Sequence, residues 1–398
     1  MYNAGLISMG GYLPAKKYPE NKLPGLVRYL KEETLLPVEY IRQLEDSGCL
    51  PGAIETNYEG WESKPWYEAW LKSMPEKKRD NPFQGAKERR RVPTDPFSIS
   101  ESVVPHPMLP SDAETLAGAM ALYHSGLKKE DIDLVIVHSQ VQDYPLPANA
   151  SLVQHKLKLP YSHAFSVDSC CSTFVTMMEV ASSMIRTGVK KNVLIIGSIL
   201  DSMINDKTDY YSINTGDAAV AGVMSIVDEG YGYQGSDSFS DGSRHDGVIF
   251  MRRPPHLLKN RSCGPSYSQD FVTFYNPESV KAIGANAQKD LLKVVTRMLE
   301  KTGKSTADID MLVTHQPVAW AAHAWRETIG VTPEHFHETF EKYGNIATAS
   351  AAVNLLEAIE AGRVKTGDTL VLASTGAGEN FIALMEVATP QLIKNTIL

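Results

Sequence analysis

Two adjacent thiols, Cys170 and Cys171, stand between the strand-like run AFSVDS and the amphipathic segment STFVTMMEVASSMIRTG, at or just before a helix start. The unpaired amides and positive dipole end of a helix N-terminus stabilise a thiolate and lower a cysteine pKa below its usual ~8.5. A sulfur so placed suits nucleophilic catalysis. Free cysteine is also among the most buried residue types, so position alone leaves a structural role open. Adjacent side chains at such a junction point in different directions, so one of the two is expected to face a pocket, and local physics prefers neither.

His315 ends the apolar run MLVT and precedes QPVAWAAHAW, at a strand end of the kind where α/β active sites collect. A hydrogen-bonded strand-end histidine is the plain alternative, and His138 stands in the same place after LVIV. Asn345 lies in KYGNIATASAAVNLLEA, where Gly344 and Asn345 break the pattern before a small-residue helix. An asparagine in a left-handed turn explains that spacing without chemistry.

The elements that must carry these residues repeat. EDIDLVIVHSQ at 130–140 resembles ADIDMLVTHQP at 307–317, an offset of 177 residues. TGVKKNVLIIGS, ending at Ser198, resembles AGRVKTGDTLVLAS, ending at Ser374, at an offset of 176. Two matches in one order at nearly one offset imply a duplicated unit. In the first copy SDAE, Ser111 to Glu114, reads as a capping-box start, and Leu116, Met120 and Tyr123 keep helical spacing up to Gly126. Phe174, Met177, Met178, Ala181 and Ile185 give a second helix an apolar face that ends at Gly188, before the strand NVLIIGS. Wholly apolar strands between helices imply sheets covered on both faces, hence an α/β fold. By the repeat offset, the Asn345 helix pairs with the Cys171 helix, and pseudo-symmetry brings the two N-termini together.

Two stretches fall outside the repeat. Residues 43–110, rich in Pro and charge with Trp61, Trp66 and Trp70 close together, read either as a lid or partner surface or as a small packed subdomain. The span from Asp228 to Ser268 reads as a loop that joins or caps the halves.

Composition bounds the function. With 39 basic against 47 acidic residues the net charge is −8, a poor footing for nucleic acid. Seven basic residues between Glu76 and Arg91 form a local exception that could face phosphates or could be a solvated loop. No apolar run approaches the ~18 residues of a membrane span, and MYNAGLISMGGYLP lacks the basic and apolar regions of a secretory signal. Cys49, Cys170, Cys171 and Cys263 form no disulfide framework or zinc spacing, which fits a reducing cytoplasm and indicates no metal or redox cofactor.

The cysteine turn FSVDSCCSTF, the segment THQP and the segment KYGN, in that order, resemble the Cys-His-Asn triad of the ketoacyl-acyl carrier protein synthase III family. ISMGGYLP, GAKERRRV, DYPLPANASLVQHKLKLP, NTGDAAVAGVM and STGAG have counterparts there too, so the resemblance covers most of the chain outside roughly 43–85. It selects Cys171 as the nucleophile, His315 over His138, and Asn345 as a donor beside them. It implies a duplicated five-layered αβαβα thiolase fold with mixed sheets, halves at 1–228 and 229–398, an insertion at about 43–110 and a connecting loop at 229–268. A homodimer is implied as well.

The chemistry implied is acyl loading from a thioester of coenzyme A or acyl carrier protein onto Cys171, then Claisen-type attack by a carbon nucleophile. The alternative is transfer of the same acyl group to a hydroxyl or amine. Backbone N–H groups of Cys171 and Ala377 would form the oxyanion hole. Where the family has an aromatic residue before the glycine turn, this chain has Thr375; where it has an Asn and an Arg after the His, this chain has Val318 and Trp320. These departures point to delivery by a carrier protein, with Arg89, Arg90, Arg91 and the preceding lysines as candidate contacts. Glu379, beside the glycine turn, is a candidate extra base or a strand-end carboxylate.

Overall fold

The computed structural model describes residues 1–398 apart from 57, 75, 84, 93–107, 145, 204–209, 253–270, 275 and 397–398. Its strands, in chain order, are β1 (Asn3–Tyr12), β2 (Ala53–Thr56), β3 (Glu88–Arg91), β4 (Leu134–Ser139), β5 (His163–Ser166), β6 (Val193–Leu200), β7 (Asp217–Val227), β8 (Gly232–Ser240), β9 (Ile249–Arg252), β10 (Phe271–Phe274), β11 (Met311–Thr314), β12 (Phe336–His337), β13 (Thr369–Gly376) and β14 (Asn380–Val387).

Ten of these form two five-stranded sheets of matching order, β1-β7-β6-β4-β5 and β8-β14-β13-β11-β12. Each is mixed in the same way. The inner strand β6 or β13 runs parallel to β4 or β11 and antiparallel to β7 or β14. The offset seen in the sequence is the offset of the strands, since β4 and β11 start 177 residues apart and β6 and β13 start 176 apart.

Burial explains the apolar runs: every residue of β4, β6 and β11 is buried. The helices Thr173–Arg186 and Ser350–Glu360 touch each other and strands of both sheets, forming the central layer. The second is buried almost all round, as its small, apolar sequence requires. Helices Pro110–Ser125 and Pro390–Thr396 cover the first sheet, and Pro277–Thr302 covers the second, which completes five layers. β1 is also clasped by the far end of the chain. Glu386 accepts from the Leu6 N–H at 2.5 Å, Thr396 Oγ1 accepts from the Met9 N–H at 3.1 Å, and Thr389 donates to the Leu6 carbonyl at 2.7 Å.

Several expectations are corrected. The helix read from SDAE begins at Pro110, with Leu109 as N-cap donating its N–H to Asp112 Oδ2 at 3.2 Å. Ser111 instead donates to Asp143, and Glu114 is buried, accepting from Ser198 and Asn149. The span 228–268 is not simply a loop: 232–240 is the edge strand β8, 249–252 pairs with β10, and 253–268 lies outside the described residues. The tryptophans belong to a packed subdomain. Trp61 and Trp70 are buried with Met74 and Ile213, and Trp66 packs edge-on to both. Among the described residues no helix is long and apolar enough to cross a membrane.

Candidate active site

Cys170–Ser172 forms a single 3-10 turn that runs directly into the helix Thr173–Arg186. The turn is closed from within. Ser172 Oγ donates to the Ser169 carbonyl at 2.7 Å, Thr173 Oγ1 donates to the Cys170 carbonyl at 2.6 Å, and Asp168 Oδ1 accepts from the Cys170 N–H at 2.7 Å. Cys170 adopts φ 56°, a left-handed conformation uncommon for a residue with a side chain. That conformation overturns the expectation that the neighbouring thiols diverge: their sulfurs lie 3.8 Å apart.

The glycine turn after β13 closes over this loop. A Cβ at Gly376 would lie 2.1 Å from the Ser169 carbonyl oxygen and 2.9 Å from Ser172 Oγ, so no other residue allows the approach. Ser374 Oγ donates to the Cys171 carbonyl at 3.2 Å. The backbone N–H of Ala377, in that turn, favours a negative charge on either sulfur. The hydrogen bond from the other thiol eases ionisation of one sulfur, and that bond together with burial drives the second proton's pKa well up. The pair therefore carries one negative charge at most near neutrality.

His315 follows β11, its backbone N–H donating to the Ala373 carbonyl of β13 at 3.1 Å. Its side chain is 3% exposed. Burial lowers its pKa to about 3, against a smaller opposite pull from the Ala347 backbone, so the imidazole is neutral at pH 7. Asn345 is held by its backbone: its N–H donates to the Asn214 carbonyl at 2.5 Å, and its carbonyl accepts from the Gly216 N–H at 3.2 Å. Its Oδ1 accepts from the Ala347 N–H at 2.9 Å. That bond turns the carboxamide's NH2 end, its donor, to the opposite side. Gly344, at φ 68°, brings the turn against Asn214, where a Cβ would lie 2.4 Å from its carbonyl oxygen.

The two halves build the same turn. Ala347, 177 residues after Cys170, also has a left-handed φ, of 44°. The Asx residue two positions earlier, Asp168 or Asn345, accepts its N–H in both copies. Thr348, the counterpart of Cys171, accepts the Phe174 N–H on Oγ1 at 3.0 Å and so joins the two turns directly. His138, the counterpart of His315, places Nδ1 3.2 Å from the Val167 carbonyl and 3.7 Å from Asp168 Oδ1.

The structure thus joins the Cys171 turn to Ala377, Ser374 and Thr348, and joins His315 and Asn345 to Ala347. The other candidates divide. Arg89, Arg90 and Arg91 are not an outward basic patch. Arg89 and Arg91 share the buried face of β3: Arg89 donates to the Ser212 carbonyl at 2.8 Å and stacks on Trp61, and Arg91 lies 3.7 Å from buried Asp217. Arg90 donates to the Pro14 carbonyl and covers Tyr343. Charge density along a sequence does not reveal which side of a strand each charge takes. Glu379 is 2% exposed, with Oε2 3.0 Å from Arg244 Nε, and burial pushes its pKa up to about 7. Thr375 is half-buried opposite Phe381 in the strand register, Val318 packs on the apolar cluster that contains Trp325, and Trp320 is 58% exposed.

Gln316 went unnoticed in the sequence. Fully buried, it donates to the Gly344 carbonyl at 2.8 Å and accepts from the Thr339 N–H at 3.1 Å, which fixes the Asn345 turn against the end of the His315 strand. Asp168, also missed, was accessible by applying the 177-residue offset to Asn345.

The family model for 3-oxoacyl-[acyl-carrier-protein (ACP)] synthase III matches residues 165–242, and the model for its C-terminal part matches residues 299–385. The beta-ketoacyl-[acyl-carrier-protein] synthase III of Caldanaerobacter subterraneus is 31% identical over 269 residues, covering 67% of this chain and 80% of that protein. The 3-oxoacyl-[acyl-carrier-protein] synthase III from Aquifex aeolicus superposes with a TM-score of 0.70 at 22% identity, over 96% of this chain and 99% of that one. A priming beta-ketosynthase from a polyketide biosynthetic pathway superposes with a TM-score of 0.69 at 19% identity, over 98% of this chain and 97% of that one. The five layers are therefore a thiolase fold, and this chain belongs to the beta-ketoacyl-[acyl-carrier-protein] synthase III family.

Proposed function

We propose that this protein is a condensing enzyme in which Cys171 takes an acyl group from a thioester of coenzyme A or acyl carrier protein and passes it to a carbon nucleophile. The observation that carries this reading is a pair of sulfurs 3.8 Å apart at a helix N-terminus, with the glycine turn at Gly376 packed against their loop. A sulfur there attacks the thioester carbonyl, and the N–H groups of Ala377 and Cys171 hold the oxyanion. In the second half-reaction His315 and Asn345 donate to the thioester oxygen of an extender. Loss of carbon dioxide leaves an enolate, whose carbon attacks the acyl-cysteine. A neutral imidazole is the right species for that role, since it donates without surrendering its proton. The relatives are synthases, which supports carbon–carbon bond formation over transfer to a hydroxyl or amine.

Trp320, exposed five residues after His315, offers an apolar surface for a pantetheine arm, and exposed Lys77 and Lys87 remain as contacts for an acidic carrier. A homodimer is part of the reading: β5 pairs with β4 alone among the described strands, which leaves its other edge open, and Tyr161, two residues before it, is 80% exposed. So is a reducing cytoplasmic setting, which keeps both sulfurs as thiols.

The test is intact-protein mass spectrometry after incubation with a panel of acyl thioesters. An acyl adduct is expected on the wild type and on Cys170→Ala but not on Cys171→Ala, followed, on adding a malonyl thioester, by a product with a new carbon–carbon bond. An adduct lost only in Cys170→Ala would overturn the assignment of the nucleophile.

A further inference from the structure

Cys170 has no part in the reaction described so far, yet the fold places it with care. Its left-handed φ, fixed by the Asp168 bond to its N–H, turns its sulfur to within 3.8 Å of the Cys171 sulfur. At that separation one thiol donates to the other, so the two share a proton. The Ala377 N–H favours a negative charge on either sulfur.

Acyl loading needs a proton partner. Cys171 must lose its proton to attack, and the thiol that departs from the substrate must gain one. His315 suits neither step, because a buried imidazole with a pKa of about 3 holds a thiol proton poorly. His138 faces the Val167 carbonyl and Asp168. Of the elements packed on the turn, β13 and the turn Ala347–Ala349 carry no ionisable side chain, and the first turn of the helix Thr173–Arg186 carries none. β14 has only Glu386, bonded to Leu6, and Glu379 just before it faces Arg244. The preceding loop brings Asp168, whose charge opposes ionisation of Cys170 and which is engaged by the Cys170 N–H.

Resting on the reading of Cys171 as nucleophile, we propose that Cys170 is a further catalytic residue, which takes the Cys171 proton during attack and returns it to the departing thiolate. The steps balance. Cys170 enters as the thiolate of the singly charged pair: the Cys171 S–H bond breaks, its proton passes to the Cys170 sulfur, and the Cys171 sulfur bonds to the carbonyl carbon as the carbonyl π pair moves onto oxygen. Collapse of the oxyanion breaks the bond to the donor thiol, which leaves with the electron pair and takes the proton from Cys170. Cys170 ends as it began. A thiol is well matched to this task, because acid, base, nucleophile and leaving group are then of one chemical kind.

The experiment compares acyl loading from two octanoyl thioesters, of N-acetylcysteamine and of thiophenol, at pH 7 by intact-protein mass spectrometry. The alkyl thiolate needs a proton to leave well; the thiophenolate does not. Cys170→Ala is expected to slow loading from the alkyl thioester about a hundredfold and from the aryl thioester by less than tenfold. Cys170→Ser, nearly isosteric and too weakly acidic to carry the proton, is expected to show the same selective loss and serves if the alanine variant does not fold. Equal slowing of both esters, or of neither, with the adduct still on Cys171, overturns the proposal and leaves the nucleophile in place. An adduct that survives in Cys171→Ala overturns the nucleophile itself.

Discussion

The state of His315 can be tested through stability. The side chain is fully enclosed, and its pKa falls from 6.5 in the unfolded chain to about 3 when folded. The folded-state value is depressed, so at acid pH the unfolded chain binds the proton that the folded chain refuses. The associated stability is fully present above pH 6.5 and is lost as pH falls toward 3. From those two values the loss between pH 7.5 and pH 5 is about 2 kcal/mol, rising to about 4 kcal/mol at pH 3. Other groups titrate over the same range, so the comparison is with His315→Gln, which keeps a neutral polar side chain of similar reach. Urea unfolding of both proteins across this range should give curves that diverge by that amount as acid is added, the variant losing less. Parallel curves, or a His315 ring resonance titrating near pH 6.5, would refute the buried neutral imidazole and with it the donor role given to this residue.

Glu386 works in the opposite sense: burial raises its pKa to about 8 from 4.5, so its contribution is present below pH 4.5 and is lost as pH rises through 8. Urea unfolding should show a slope of about −1.4 kcal/mol per pH unit in between, flattened in Glu386→Gln. Gly376→Ala forces a Cβ to within 2.1 Å of the Ser169 oxygen and should cut acyl loading at least tenfold, about 1.4 kcal/mol in barrier, without abolishing the fold by circular dichroism. Trp70→Ala removes a fully buried ring and should cost about 3–5 kcal/mol. Because Trp70 supports Trp61 and Arg89, and Arg89 holds the 212–216 loop that binds Asn345, product formation should fall while acyl loading persists, as read by the two mass-spectrometric assays.

The duplication was legible because buried strands need unbroken apolar runs, and the runs LVIV and MLVT recur with their flanking turns intact. The same logic placed Cys171, His315 and Asn345 at strand ends and helix starts. What stayed hidden was direction. Nothing in the letters CCS says that Cys170 takes a left-handed φ, and it is that angle which brings the sulfurs together. The run ERRR likewise announces charge and conceals that two of its guanidinium groups turn inward onto Trp61 and Asp217, partners far away in the chain. Gln316 was passed over because its worth lies in a carbonyl 28 residues onward.

The clasp on β1 bears on how the molecule is made. Leu6 exchanges hydrogen bonds with Glu386 and Thr389, and Met9 with Thr396, partners more than 380 positions later in the chain for Thr389 and Thr396 and 380 for Glu386. On the ribosome those partners emerge about 380 residues after β1. That strand therefore waits through the synthesis of those intervening residues with Leu6 and Met9 lacking their final contacts, a long exposure for an apolar segment and one that invites chaperone binding until the partners arrive.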